Sequence, residues 1–176
     1  MADETDGIAH DYRLVNINKL QQRLEDERDR RNNVSKKYHR GINIVNVIQN
    51  VLVVTSIGLN AIGLGLLSTI IAAPAVISIQ AVSLGALILI KTGDRVNKNL
   101  NVKAEKHEKI KILAETTLDK IINHLSKSLD DEVISEEEFT LVLSEGSKFT
   151  ELKEEIRTTQ TLKNNVKTRV KDSIEK

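Results

Sequence analysis

Positions 41 to 90 form a run of fifty residues without a single Asp, Glu, Lys, Arg or His. Every one of the 26 basic and 25 acidic side chains of the 176-residue chain lies to one side or the other of that block. About 18 apolar residues already suffice for a helix that crosses a bilayer, so the block holds two such helices and a tight turn. The expectation is a membrane-inserting helical hairpin. A formal net charge of +1 conceals this segregation, and the balance of signs argues against a nucleic-acid partner. With no cysteine there is no disulfide, thiolate metal site or cysteine nucleophile.

The block contains its own boundary. Gly63, Gly65, Ser68 and Thr69 precede Ala72-Ala73-Pro74, and this proline is the only one in the chain. Proline suits the first turn of a helix, where its missing N–H costs nothing. Helices are therefore expected at about 44–66 and 71–90. Each spans roughly 30 Å at 1.5 Å per residue, the thickness of a hydrocarbon core. The flanks are basic, with Arg31, Lys36, Lys37 and Arg40 before and Lys91, Arg95, Lys98 and Lys103 after, against the single acid Asp94. Lys36, Lys37, Arg40, Lys91 and Arg95 are the expected interfacial anchors, and the positive-inside tendency places both termini on the cytoplasmic side of a membrane. The acidic start, Met1 to Asp6, does not fit a cleavable signal, so the first span is expected to direct insertion.

Amides interrupt the first span. Asn43, Asn46, Gln49, Asn50 and Asn60 fall within an arc of roughly 120° when the chain is stepped at 100° per residue. Amides in hydrocarbon need partners, so the stripe either packs helices together or lines water in an oligomeric pore. Both roles are open. Gly58, Ala61 and Gly65 lie three and four apart, the spacing that lets helix backbones approach closely.

Outside the block the chain is charged and helical. Leu14, Ile17, Leu20 and Leu24 make a short stripe, but its heptad continuation runs into Glu27 and Arg31. That reads as a solvated stalk over 1–40 rather than a coiled coil. Ala114, Leu118, Ile121 and Leu125 recur in heptads on a helix expected at about 96–128. Ser135 with Glu138 is a capping box, stapled by Ile134 and Phe139, and it opens a helix with Val142, Gly146, Phe149, Leu152 and Ile156 on one side. The two helices are expected to pair antiparallel. The resulting fold is all-α, a two-helix transmembrane hairpin (41–92) flanked by an N-terminal helix (1–40) and a C-terminal cytoplasmic helical hairpin (93–157), with a basic tail (158–176).

Sites for chemistry are missing from the pattern. Asp130 to Phe139 looks like the second half of a calcium loop, yet Lys127 would stand at its first ligand position and Glu132 at its obligatory glycine. Calcium binding is not expected. His10, His39, His107 and His124 are scattered, and no glycine-rich segment leads into Lys-Ser or Lys-Thr. No catalytic residue, metal or cofactor is expected, and no enzyme.

The order of parts carries a resemblance. A Lys36-Lys37-Tyr38-His39-Arg40 approach, two tightly linked apolar helices, and a polar helix with Lys103-Ala104-Glu105-Lys106-His107 resemble the SLATT group of two-span effectors over about 31–128. The resemblance implies a hairpin that perforates membranes when a separate nucleotide-sensing partner is triggered. Three functions follow as expectations: an oligomerising, pore-forming or membrane-perturbing protein; a non-enzymatic membrane anchor or scaffold of a cellular or viral assembly; or a soluble helical bundle that inserts its hairpin on triggering. The bilayer and further copies of the chain are the expected partners.

Overall fold

Few residues in this chain can stop a helix, and few do. A computed structural model describes the backbone of residues 2–66, 73–126 and 134–174 and the side chains of residues 11–62, 77–126 and 134–159. It contains α1 (Ala2–Leu66), α2 (Ala73–Ser126) and α3 (Glu136–Ile174), with no strand among the described residues. The all-α expectation holds. Pro74 lies in the first turn of α2, while the turn between the helices and the calcium-loop segment through 133 fall outside the described residues.

The element count is smaller than the sequence suggests. Separate helices were expected on each side of the charge boundaries, whereas α1 runs through the 40/41 boundary and α2 through the 90/91 boundary. The physical reason is that a change of side-chain polarity does not interrupt backbone hydrogen bonding. Only Gly41 and Gly93 sit at those boundaries, and one glycine inside a long helix costs about 1 kcal/mol, too little to break it.

The chain divides into two compact units, one of Met1–Ser35 with Glu105–Lys176 and one of Lys36–Ala104. In the first, all three helices share a core of Ile17, Leu24, Ala114, Leu118, Ile121, Ile134, Val142 and Phe149. Ile17 and Leu24 are 1% and 2% exposed. The solvated stalk is therefore corrected: the N-terminal stretch is a third member of the bundle expected to be a pair. Gly146 permits the close contact, since a Cβ there would meet Leu20 Cδ2 at 2.9 Å.

The start of α3 is built as its sequence implies. Glu138 N–H donates to Ser135 Oγ at 3.2 Å, and Ser135 N–H donates back to Glu138 Oε2 at 3.0 Å. Ile134 is buried and Phe139 packs against the same core. Arg13 Nη1 donates to the Ile134 carbonyl at 2.8 Å, tying α1 to this junction.

Candidate functional site

In the Lys36–Ala104 unit, α1 and α2 meet along a narrow seam. Buried and half-buried positions recur at 38, 42, 45, 49, 52, 56 and 59 on α1 and at 79, 83, 86, 90, 93, 97, 100 and 104 on α2, with 41 and 102 half-buried beside this series. Steps alternate between three and four residues on both helices, the spacing of a coiled-coil seam. What fills this seam is unusual. Ser56, Ser83, Ala86 and Ala104 are buried there with Ile42, and Gln49, Gly93 and Asn97 are half-buried alongside Val45, Leu52, Leu59, Ile79, Ile90 and Leu100. The Ser56 and Ser83 hydroxyls and Asn97 Oδ1 are buried without a hydrogen-bond partner among the described residues.

Large aliphatic side chains take the outside. Ile44, Val47, Ile48, Val51, Val53, Val54, Ile57 and Ile62 on α1, and Ile77, Val82, Leu84, Leu87, Ile88, Leu89 and Val96 on α2, are 40% to 70% exposed. Burying such a side chain is worth about 1.5–3 kcal/mol. At half that value, fifteen of them left in water forgo roughly 11–22 kcal/mol of burial, on the scale of the whole net stability of an ordinary domain, about 5–15 kcal/mol. A seam that admits small and amide residues among aliphatic ones, with many more large aliphatic side chains facing outward, is the arrangement of helices packed in lipid, where water does not drive apolar groups inward.

Each of α1 and α2 holds a stretch long and apolar enough to cross a membrane, and only 6% and 11% of those stretches are buried within the chain. The core helix of a protein folded in water would be mostly covered.

The seam is clasped at one level by amides. Gln49 Nε2 donates to the Ile90 carbonyl and to Asp94 Oδ1, both at 2.8 Å. Asn97 Nδ2 donates to Asn46 Oδ1 at 2.6 Å and to Gln49 Oε1 at 3.1 Å. Gly93 makes room, since a Cβ there would lie 2.8 Å from Gln49 Nε2. At the other end of the contact Gly41 faces Leu100.

These contacts fix an antiparallel register that sets Val51 level with Lys91. Helix α2 is uncharged over its first 18 residues, 73–90, whereas α1 is uncharged over 26, from 41 to 66. The surplus on α1, 41–51, stands level with Lys91, Arg95 and Lys98 of α2 and contains Asn43, Asn46, Gln49 and Asn50. The shared uncharged height is that of α2, about 27 Å at 1.5 Å per residue.

The residues picked out from the sequence thus separate. Asn46 and Gln49 join the clasp, while Asn43, Asn50 and Asn60 are exposed and hydrogen-bond to no described residue. Gly58 has nothing within 4 Å of where a Cβ would be and Ala61 is exposed, so neither lies where α1 and α2 approach. The Gly65 side-chain position is outside the described residues. Lys36, Lys37, Arg40, Lys91 and Arg95 are all exposed. Sequence reasoning missed Ser83, Gly93 and Asn97 and read Asp94 only as a flanking charge; the 3-4 spacing of small and amide residues on α2 was the available signal.

The other unit carries a charge cluster among its three helices. Glu27 Oε1 accepts from Arg31 Nη2 at 2.6 Å and Lys153 Nζ at 2.9 Å, and Arg31 is only 7% exposed. Burial pushes the Glu27 carboxyl up, but hydrogen bonds from Lys153 and Arg31 outweigh it and hold the group below its ordinary value. Arg31 Nη1 donates to His107 Nδ1 at 3.1 Å, which fixes the His107 proton on Nε2 because a guanidinium has no acceptor. Burial, followed by the Arg31 charge, pushes His107 below its ordinary value of 6.5. Lys106 is lowered by burial and then by Arg157 and Arg31. Lys153 also lies 5.7 Å from the centroid of the Phe149 ring.

Among the described residues no group of three or more His, Asp or Glu is placed to hold a metal ion. The chain matches no family model, no curated protein and no solved structure.

Proposed function

We propose that this chain is an integral membrane protein whose α1–α2 hairpin sits in the bilayer, self-associates there and perturbs or perforates it. The observation that carries the reading is the exposure of fifteen large aliphatic side chains on the outside of the Lys36–Ala104 unit, around a narrow seam that serine, alanine and amide side chains share with Ile42, Leu52 and Ile90. Hydrocarbon is the solvent in which that distribution costs least.

Charge agrees with it. The unit holds seven Lys and Arg and one carboxylate, and that carboxylate, Asp94, is engaged by Gln49. Lys91, Arg95 and Lys98 then lie at the headgroup level, with the clasp beside them where water is available. The uncharged height of α2 matches a hydrocarbon core of about 30 Å. The SLATT-like order of parts supports an effector role triggered by a separate sensor.

The bundled unit favours a second reading, in which the hairpin only anchors a folded three-helix body. Dye release from liposomes separates the two. An effector empties vesicles at a protein-to-lipid ratio where an anchor leaves them sealed. Carbonate washing of membranes carrying freshly made protein tests the shared premise: the protein stays with the lipid, and recovery in the wash would refute both readings. Recovery first in the wash and later in the membrane would instead mark insertion on triggering.

A further inference from the structure

One edge of the hairpin differs from the other. Asn97 on the seam bonds Asn46, and Gln49 on the seam bonds Asp94, so Asn46 and Asp94 flank the seam on the same side. Two heptads nearer the tip on each helix stand Asn60 and Gln80, which by that repeat flank the same side at matching depth. Both are exposed, and neither hydrogen-bonds to a described residue. Asn43 and Asn50 continue the polar edge toward the basic end of α1. The opposite edge carries Ile48 and Ile62 on α1 and Val82 and Leu89 on α2, and its one hydroxyl between Ile48 and Ile62, Thr55, donates back to the Val51 carbonyl at 2.8 Å.

Depth makes the edge consequential. At 1.5 Å per residue, Asn60 lies about 13 Å tipward of the Val51 level and Gln80 about 16 Å tipward of Lys91, near the middle of the uncharged height. Lipid tails offer an amide neither donor nor acceptor, so these two groups call for protein or water.

We propose that this amide edge, centred on Asn60 and Gln80, is the face by which the hairpin binds a second copy of the same chain. An amide both donates and accepts, so the edge is complementary to itself and closes by rotation about an axis between copies without any other partner. The protein already joins its helices this way, through the Asn97–Asn46 bond at 2.6 Å. Val53 and Leu87 stand on the same edge between that clasp and the Asn60–Gln80 pair, one heptad from each. This inference rests on the membrane reading and names the surface and the partner for it.

The test is self-association of full-length protein in liposomes, read as energy transfer between differently labelled copies and as crosslinking. Carbonate extraction is run on every sample. Wild-type protein associates. The Asn60→Leu, Gln80→Leu double variant stays in the membrane, keeps its helicity, and associates about tenfold or more weakly, as expected for losing buried interhelical amide bonds. The opposite-edge variant Ile48→Leu, Val82→Leu associates like wild type. If the first double variant is not recovered folded, Asn43→Leu, Asn50→Leu takes its place and weakens association in the same sense.

Three results overturn the inference while leaving the membrane reading intact: a wild-type monomer that resists carbonate, amide variants that associate undiminished, or an opposite-edge variant that alone dissociates. Wild-type protein recovered in the carbonate wash would remove the membrane reading itself and this inference with it.

Discussion

Val82→Lys separates the two solvents that could surround the hairpin. Val82 is 57% exposed on the aliphatic edge and lies nine residues tipward of Lys91. That offset is about 13 Å along the helix, near the middle of a hydrocarbon layer about 30 Å thick. In water, a substitution at so exposed a position changes stability by no more than about 0.5 kcal/mol. In lipid, valine contributes about −0.3 to −0.6 and lysine about +2.5 to +3.5 kcal/mol at a helix centre, a penalty of roughly 3–4 kcal/mol. The insertion equilibrium then falls by about 100- to 1,000-fold. The assay is the fraction of newly synthesised protein that resists carbonate extraction, with Tyr12→Lys, at a 65% exposed site in the bundled unit, as control. Val82→Lys is expected to empty the membrane fraction and Tyr12→Lys to leave it unchanged. Equal extraction of Val82→Lys and wild type would refute the reasoning.

Other consequences follow from single contacts. Gly93→Val pushes a side chain into Gln49, which is held by hydrogen bonds, so it should weaken the α1–α2 pairing by about 1–2 kcal/mol in a detergent melting experiment; Gly58→Val, with open space around it, should not. Ser135→Ala removes the cap of α3 and should lower the stability of the bundled unit by about 1 kcal/mol in denaturant melts. Because His107 is lowered in the folded state, its contribution is fully present above pH 6.5 and is lost as pH falls through the folded-state value. Glu27, also lowered, contributes in the same direction at more acid pH. Acid melts should therefore show falling stability below about pH 6.5, and His107→Gln should flatten the first part of that fall.

Features written in one short stretch were legible. The uncharged block, Pro74 at the start of α2, and the Ser135–Glu138 box with Ile134 and Phe139 each depend on residues close in sequence, and each appears as expected. The N-terminal stretch was misread for the opposite reason. Its heptad continuation ran into Glu27 and Arg31, which looked solvated because their partners, His107 and Lys153, lie on other helices. A buried charge reads as a surface charge until its complement is in view. The amide stripe was legible as a stripe, but not its division between clasp and free edge. That division depends on the register of α2 against α1, which side-chain periodicity on one helix cannot supply. The continuity of α1 and α2 across the charge boundaries was hidden because charge was taken as a mark of where helices end, and backbone hydrogen bonding is indifferent to it.

The chain has no cysteine, so single-cysteine variants in liposomes report one position at a time without background. Spin labels at Val54, Ile57, Leu84 and Ile88, all 61% to 70% exposed, should be quenched by oxygen dissolved in the bilayer and hidden from a water-soluble nickel chelate. Labels at Ser56 and Ser83, buried in the seam, should be shielded from both. Outward positions open to the nickel chelate and closed to oxygen would contradict the claim that lipid surrounds the hairpin.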